Sequence, residues 1–446
     1  MRSLKSLLRA VAGSVVPFAG VVLAFAAAGP TSPERVSIGD GSAVPDGPAY
    51  EGTVTGNGRY AAFYSSATNL LPDSGNSTED VFVRDRKKGT TALASPNIVD
   101  GGEGNGASQY PVLSDNGRFV LFFSDATDLV EGDDQENVDI FLTDMKTGQV
   151  TRLSEDDGGF DGDASSALWG AALSKNGRYA VYYSVAGNLA PGGIDDNGFE
   201  DIFLYDRVKG TTTLISTNLA GNPANGHSAE ASISPNGRFV AYYTRASDIA
   251  ATDPTGPVYD ICVYDTKKKT NTILPLGTAL DPADGDAYGP VVSDNGRYVA
   301  FYSSAENLVG AEDTNGRWDV FLSDRKTGET KRLSVANDGT EADNYSYYPA
   351  MSASGKVVLF LSPASNLDTA DGNGGDNDVF RFLVKKGILT LVSKAADGTG
   401  GDSESITWGA CLSSNGKYVA FTSGATNFDS EGVVDADDTF VLKLGK

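Results

Sequence analysis

"SDNGRYVAFYSSAENLV" runs from Ser293 to Val309, and close variants recur as "SDNGRFVLFFSDATDLV" from Ser114 and "SPNGRFVAYYTRASDIA" from Ser234. The glycine of each copy serves as a ruler. It falls at Gly58, Gly117, Gly177, Gly237, Gly296, Gly355 and Gly416, in steps of 59 to 61 residues. Seven units of this size use the chain from Glu34 onward and leave no room for a second domain. A fixed period in this range marks a solenoid, a propeller or an array.

The pattern inside one unit decides among these. In the fifth, "GPVVS" is a short apolar run, "DNG" supplies a turn, and "RYVAFYS" is a run of aromatic and β-branched residues suited to a strand. Asn-Gly between two such runs predicts a hairpin with a type I′ turn, in which both central residues take positive φ. After a polar loop come "DVFLSD", the turn "RKTGE" and "TKRLSV". Four strands and two tight hairpins make one small antiparallel sheet. Aromatics recur on the second strand (Phe63, Phe122, Tyr182, Tyr242, Phe301, Phe360, Phe421) and the third (Phe82, Phe141, Phe203, Phe321, Phe380, Phe440). Such sheets are apolar on both faces, as expected when neighbours cover each side. A ring of them is a β-propeller, whereas an immunoglobulin array needs about 100 residues per unit.

The ends of the chain fit closure of that ring. The last unit stops after its third strand, "TFVLKL", while "ERVSIGDG" from Glu34 matches "KRLSVANDG" from Lys331. The N-terminal strand is therefore expected to complete blade 7 and remove an exposed edge. The fold expected over residues 29–446 is an all-β, seven-bladed propeller of four-stranded antiparallel blades.

The pairing of "NGRYVAFYS" with "DVFLSD" resembles the WD-repeat-like propeller repeats of TolB-type proteins, and the likeness extends over the whole chain after the leader. The resemblance implies the fold. TolB itself carries an N-terminal α/β domain and six blades, so its role in the Tol–Pal envelope system is not implied for this chain.

The first 28 residues read as a leader: "MRSLKSLLR" has three positive charges and no acid, and Ala10–Ala28 is apolar. A cleaved signal peptide is expected, with export to the periplasm or the exterior. An uncleaved anchor is the alternative, and only that form would engage a membrane. Losing the leader takes the formal charge from −24 to −27, which argues against a nucleic-acid partner. Cys262 and Cys411 align with core positions of blades 4 and 7, too far apart for a bridge. A basic residue follows each ruler glycine (Arg59, Arg118, Arg178, Arg238, Arg297, Lys356, Lys417), whereas acids crowd the loops on the other side. The disc is expected to be basic on one face and acidic on the other.

Two groups of residues carry chemistry. The loop between second and third strands ends in Asp in every unit, and reads "DTNGRWD" in blade 5 and "DDNGFED" in blade 3. Asp313, Asn315 and Asp319, and likewise Asp195, Asn197 and Asp201, offer oxygens around a glycine turn, a pattern suited to Ca²⁺. No cofactor is required; calcium is the one expected to bind, if any does. The other reading of the closing Asp is a cap on loop amides. The second group lies where the innermost strands begin, on the acidic face. Tyr50, Trp169, Tyr288, Tyr347 and Trp408 occupy one repeat position, and Glu51, Tyr110, Glu230 and Tyr348 occupy the next, with glycine at 170, 289 and 409. Aromatic rings with polar tips at a propeller mouth suit sugar faces or peptide anchors.

Catalysis has less support. His227 is the only histidine and no "GxSxG" elbow occurs. Glu51 and Glu230 form a carboxylate pair of the kind glycosidases use, but blades 1 and 4 stand nearly opposite. The function expected is non-enzymatic binding of a protein or glycan through the acidic, aromatic-rimmed face. The alternatives are a glycan-acting hydrolase or lyase using rim carboxylates, and a calcium-stabilised structural envelope protein.

Overall fold

The computed structural model describes residues 32–40, 44–72, 75–133, 137–156, 158–160, 162–166, 171–191, 195–251, 258–277, 283–310, 313–407, 411–428 and 437–445. Every regular element among them is a strand: 28 strands form seven four-stranded antiparallel sheets. Blade 1 comprises Ala49–Val54, Tyr60–Ser65, Asp80–Asp85 and Thr90–Leu93, and the pattern repeats in chain order. The leader, residues 1–28, lies outside the described residues, and no helix among those described is long and apolar enough to cross a membrane.

Blade 7 is assembled from both ends of the chain. Glu34–Arg35 pairs antiparallel with Asp438–Lys443, in the register Glu34 to Val441 and Arg35 to Phe440. The following segment then crosses to blade 1, where Thr91 donates its N–H to Asp40 at 2.8 Å and its hydroxyl to the Ile38 carbonyl at 2.6 Å. The N-terminal segment thus clasps two blades.

Within each blade the second- and third-strand aromatics are direct cross-strand partners. Phe63 and Phe82 stack at 5.8 Å, and Phe122 and Phe141 at 5.7 Å. Phe301 with Phe321, Phe360 with Phe380 and Phe421 with Phe440 repeat the arrangement. These rings are almost wholly excluded from solvent. In blade 4 the pair is Tyr242 and Cys262, and Cys262 and Cys411 are both buried free thiols.

The ruler glycine has two reasons to be glycine. Its φ is positive at every copy, from 67° to 76°. A Cβ on Gly117 would also lie 2.3 Å from the ring of Tyr60 in the preceding blade, and one on Gly58 would lie 2.5 Å from Tyr418 of blade 7. The turn is not of type I′. Asn116 keeps a negative φ, and the Gly117 N–H donates to the Ser114 carbonyl at 2.9 Å. This is a turn with one left-handed residue, and the Asn side chain explains it: Asn116 Oδ1 accepts from Ser114 Oγ and from the Arg118 N–H, both at 2.9 Å.

The basic face is also largely cancelled. Arg59, Arg118, Arg178, Arg238 and Arg297 each bridge to the Asp that ends the third strand of the same blade, at 2.5–3.0 Å. Each guanidinium lies over the next aromatic as well, as Arg118 does over Phe119 at 4.8 Å. These arginines hold a hairpin together.

Candidate functional site

The channel is lined by the innermost strands, and each fully described one carries a bulge at the same place. In blade 1 the pairing jumps from Tyr50–Tyr64 to Thr53–Ala62, so Glu51 and Gly52 together oppose the single residue Phe63. Blades 2, 4, 5 and 6 repeat this. The first residue of such a bulge takes the left-handed conformation that glycine adopts at least cost. Gly289 does so in blade 5 with φ 54°. Glu51 (48°), Tyr110 (55°), Glu230 (46°) and Tyr348 (48°) do so with side chains attached. A non-glycine residue held there costs about 1–3 kcal/mol, and such strain clusters at functional sites.

All four of these side chains face one cavity of about 430 Å³ on the propeller axis. Glu51 and Glu230 are half-buried, and both line this cavity. Burial raises the Glu51 carboxyl well above its ordinary range and pushes Glu230 up to about 7, even with the Gly289 N–H nearby. The Tyr348 phenol is pushed up to about 12, by burial first and then by Glu230, with Glu51 contributing. Blades 1 and 4 do stand on different sides of the ring, yet the one phenol senses both carboxylates. The arrangement can accept hydrogen bonds from, or ion-pair with, a group inserted along the axis, while Tyr110 and Tyr348 flank it with aromatic faces.

The opposite end of the channel is drawn shut by the first-hairpin turns. The Asp115 N–H donates to the Lys175 carbonyl at 2.7 Å, and the Lys175 N–H to the Pro235 carbonyl at 3.0 Å. The Asn236 N–H donates to Asp294 at 2.8 Å; Asp294 and Ala353 in turn donate to the Ala353 and Ser414 carbonyls at 2.8 Å. Asp115 Oδ1 accepts from the Gly56 N–H at 2.8 Å, and its carboxylate also accepts from Ser414 Oγ at 2.9 Å. The ring of turns is complete at this end of the cavity. Lys175 lines its floor, and its amine is depressed by burial against the pull of Asp115. Lys175 and Asp115 escape sequence reasoning because they look like ordinary turn residues.

The first rim position behaves differently. Tyr50, Tyr288 and Tyr347 do not line the cavity but pack sideways. Tyr50 lies 5.5 Å from Tyr64, Tyr288 lies 5.1 Å from Tyr243, and Tyr347 lies 5.1 Å from Tyr348. Trp169 and Trp408 lie outside the described residues. An aromatic shelf exists nevertheless, between blades 4 and 6: Tyr288 touches Tyr259 and Trp318, and Trp318 touches Tyr345. Trp318 and Tyr345 are 40% and 38% exposed. The sequence signal for Trp318 is its place in "DTNGRWD", beside the acids of that loop.

The acidic loops separate into structural and charged parts. In every blade but the fourth, where Pro275 takes the place of the serine, the closing Asp accepts from a Ser hydroxyl, as Asp80 does from Ser95 at 2.7 Å and Asp378 from Ser393 at 2.6 Å. Asn197 and Asn315 point their amide nitrogens at Asp201 and Asp319 and at the Ala224 and Ala342 carbonyls, both at 2.9 Å. They strap one blade's loop to the next. In blade 5, Asp313, Asp319 and Glu341 bring carboxylate oxygens within 4.8 Å of one another. The Arg332 guanidinium stands among them, 3.5 Å from Asp313 and from Asp319 and bonded to Glu341. His227 sits at the surface, 3.0 Å from Glu200 and against Phe199.

Fold and site together define a closed seven-bladed β-propeller with an axial cavity. No protein-family model matches the chain, and no curated protein does either. Among solved structures, it is similar to an oligogalacturonate lyase in complex with manganese, with a TM-score of 0.53, 11% identity, and 93% of this chain and 97% of that chain covered. It is equally similar to the β-propeller domain of the trilobed protease from Pyrococcus furiosus, with a TM-score of 0.53, 9% identity, and coverage of 90% and 94%. That domain has an open velcro topology, whereas here the terminal strands pair. TolB from Acinetobacter baumannii matches with a TM-score of 0.40 and 12% identity, over 79% of this chain and 65% of that one. At these identities the likeness is one of fold.

Proposed function

We propose that this protein is an exported binding propeller that takes one end of a protein or glycan ligand into the axial cup from its acidic face. One observation carries the reading: Glu51, Tyr110, Glu230 and Tyr348 occupy left-handed positions where blade 5 has Gly289, and all four line the cup. A position that glycine fills without strain retains a side chain at a cost to stability when that side chain does something else. The cup is of a size to admit a sugar ring or a peptide side chain. The shelf of Tyr288, Trp318 and Tyr345 beside it offers ring faces to the rest of the ligand.

The lyase and hydrolase alternative would use the same carboxylates as acid and base. A panel of soluble oligosaccharides and peptides, assayed in parallel for binding and for turnover, separates the two. Retained ligand with no product, and loss of binding in Glu230→Gln and Trp318→Ala, supports the binding reading. Release of a cleaved product by wild type but not by Glu230→Gln overturns it.

A further inference from the structure

The seven acidic loops do not all contain the same counter-charge. One fourth-strand position, opposite the third-strand Phe, governs this. It is Arg152 in blade 2, Arg332 in blade 5 and Arg35 in blade 7, facing Phe141, Phe321 and Phe440. Each of these arginines pairs with loop acids of its own blade: Arg152 with Asp133 at 3.5 Å, Arg332 with Asp313 and Asp319 at 3.5 Å, and Arg35 with Asp438 at 3.3 Å. In blades 1, 3 and 6 the same position is leucine (Leu93, Leu214 and Leu391, opposite Phe82, Phe203 and Phe380), and in blade 4 it is Ile273, opposite Cys262.

In blade 1 the Asn76 amide reaches the closing Asp80 at 3.4 Å, and in blade 6 Lys394 reaches only Asp368, so in blades 3 and 6 buried loop acids remain with no arginine at that place. Asp195 is only 6% exposed, and neither of its carboxylate oxygens has a hydrogen-bond partner. The Asn197 N–H stands near it without reaching hydrogen-bond geometry. Asp201, fully buried, lies against Asp195. In blade 6, Asp378 is fully buried with Oδ2 unpartnered, and Asp371 Oδ1 and Asn373 Oδ1 from the same loop are unpartnered too. Among the described residues no Lys or Arg forms an ion pair with any of these four carboxylates. A buried carboxylate without a partner carries a heavy desolvation cost. Blade 5 shows in the same molecule what relieves it: a positive charge at the same place.

We propose that blades 3 and 6 each bind a calcium ion where blade 5 has the Arg332 guanidinium, through Asp195 and Asp201 in one and Asp371, Asn373 and Asp378 in the other. The donors are all oxygens of carboxylates and an amide, the set that a hard divalent cation takes. They belong to irregular loops rather than a rigid octahedral frame, which favours calcium over magnesium. The sites lie away from the cup and act on the fold. Arginine in blades 2, 5 and 7 and calcium in blades 3 and 6 are two solutions to one electrostatic problem.

Thermal unfolding and titration calorimetry on the whole chain, freed of metal by chelator, test this. Calcium should raise the melting temperature of wild type, with two ions bound, and magnesium at equal ionic strength should do so far less. Leu214→Arg with Leu391→Arg should melt higher than wild type in chelator and lose the calcium shift. Should that variant fail to fold, Asp195→Asn with Asp378→Asn supplies the second test, and it should abolish the shift while retaining the fold. Identical melting of wild type in chelator and in calcium overturns the proposal. So does a calcium shift that survives either double variant undiminished, and an equal shift with magnesium overturns the assignment to calcium.

Discussion

The hydroxyl of Ser37 donates a 2.8 Å hydrogen bond to the carboxylate of Asp438, joining residues 401 positions apart. Ser37 Oγ also accepts from the Thr439 N–H at 3.1 Å. Ser37 stands where Ser95, Ser216, Ser334 and Ser393 stand in other blades, so the two chain ends rebuild a repeat contact that elsewhere is local.

Removal of residues 34–40 should therefore open blade 7 and expose its third strand as an edge. The expected outcome is a large drop in melting temperature and a broadened transition in calorimetry. Ser37→Ala is a milder test: it strips one partner from a buried carboxylate and should cost about 1–3 kcal/mol in urea unfolding. Wild-type melting of the deletion variant would contradict the clasp.

Lys269 calibrates the strain argument away from any site. It holds φ 57° at the second hairpin of blade 4, where Gly89, Gly148, Gly210, Gly328 and Gly387 occupy the equivalent turns. Lys269→Gly should stabilise the protein by about 1 kcal/mol, because glycine relieves the left-handed penalty. Chemical denaturation of this variant fixes the scale for the cup residues.

The pH dependence should run in an unusual direction. Burial pushes Asp80 and Asp378 up to about 7, and Glu230 to about 7. A folded-state value above the unfolded one means that the folded chain binds more protons across the interval, so stability falls as pH rises through it. Asp85, Asp144, Asp206 and Asp324 are held low by their arginine partners and contribute in the opposite sense, losing their effect only below the ordinary carboxylate range. In chelator, the melting temperature should therefore decline from about pH 5 to about pH 7.5. A steady rise over that range would contradict the burial of these groups.

The ring of seven blades and its closure were legible because a period of about sixty residues with Asn-Gly turns leaves few architectures. The turn type was not, since it depends on Asn116 Oδ1 accepting two bonds that a dipeptide rule does not contain. Pairing of the basic face was hidden by distance along the chain: Arg59 and Asp85 are 26 residues apart. The cup was partly written in the sequence. A repeat column that holds glycine at 170, 289 and 409 and Glu or Tyr elsewhere signals positive φ with side chains retained against it. The neighbouring column puts Tyr50, Tyr288 and Tyr347 at the mouth by its aromatic rings, whereas alternation along the strand turns them sideways onto Tyr64, Tyr243 and Tyr348.

Glu51→Gly combined with Glu230→Gly, followed by equilibrium urea unfolding at neutral pH, bears most directly on whether the cup is kept for binding. Both residues hold left-handed backbone, and both bury a carboxylate raised by desolvation. If they serve a ligand and not the fold, the double variant should be more stable than wild type by about 1 kcal/mol per site or more. A double variant less stable than wild type would mean that these carboxylates hold the propeller together, and the function would have to be sought elsewhere on the molecule.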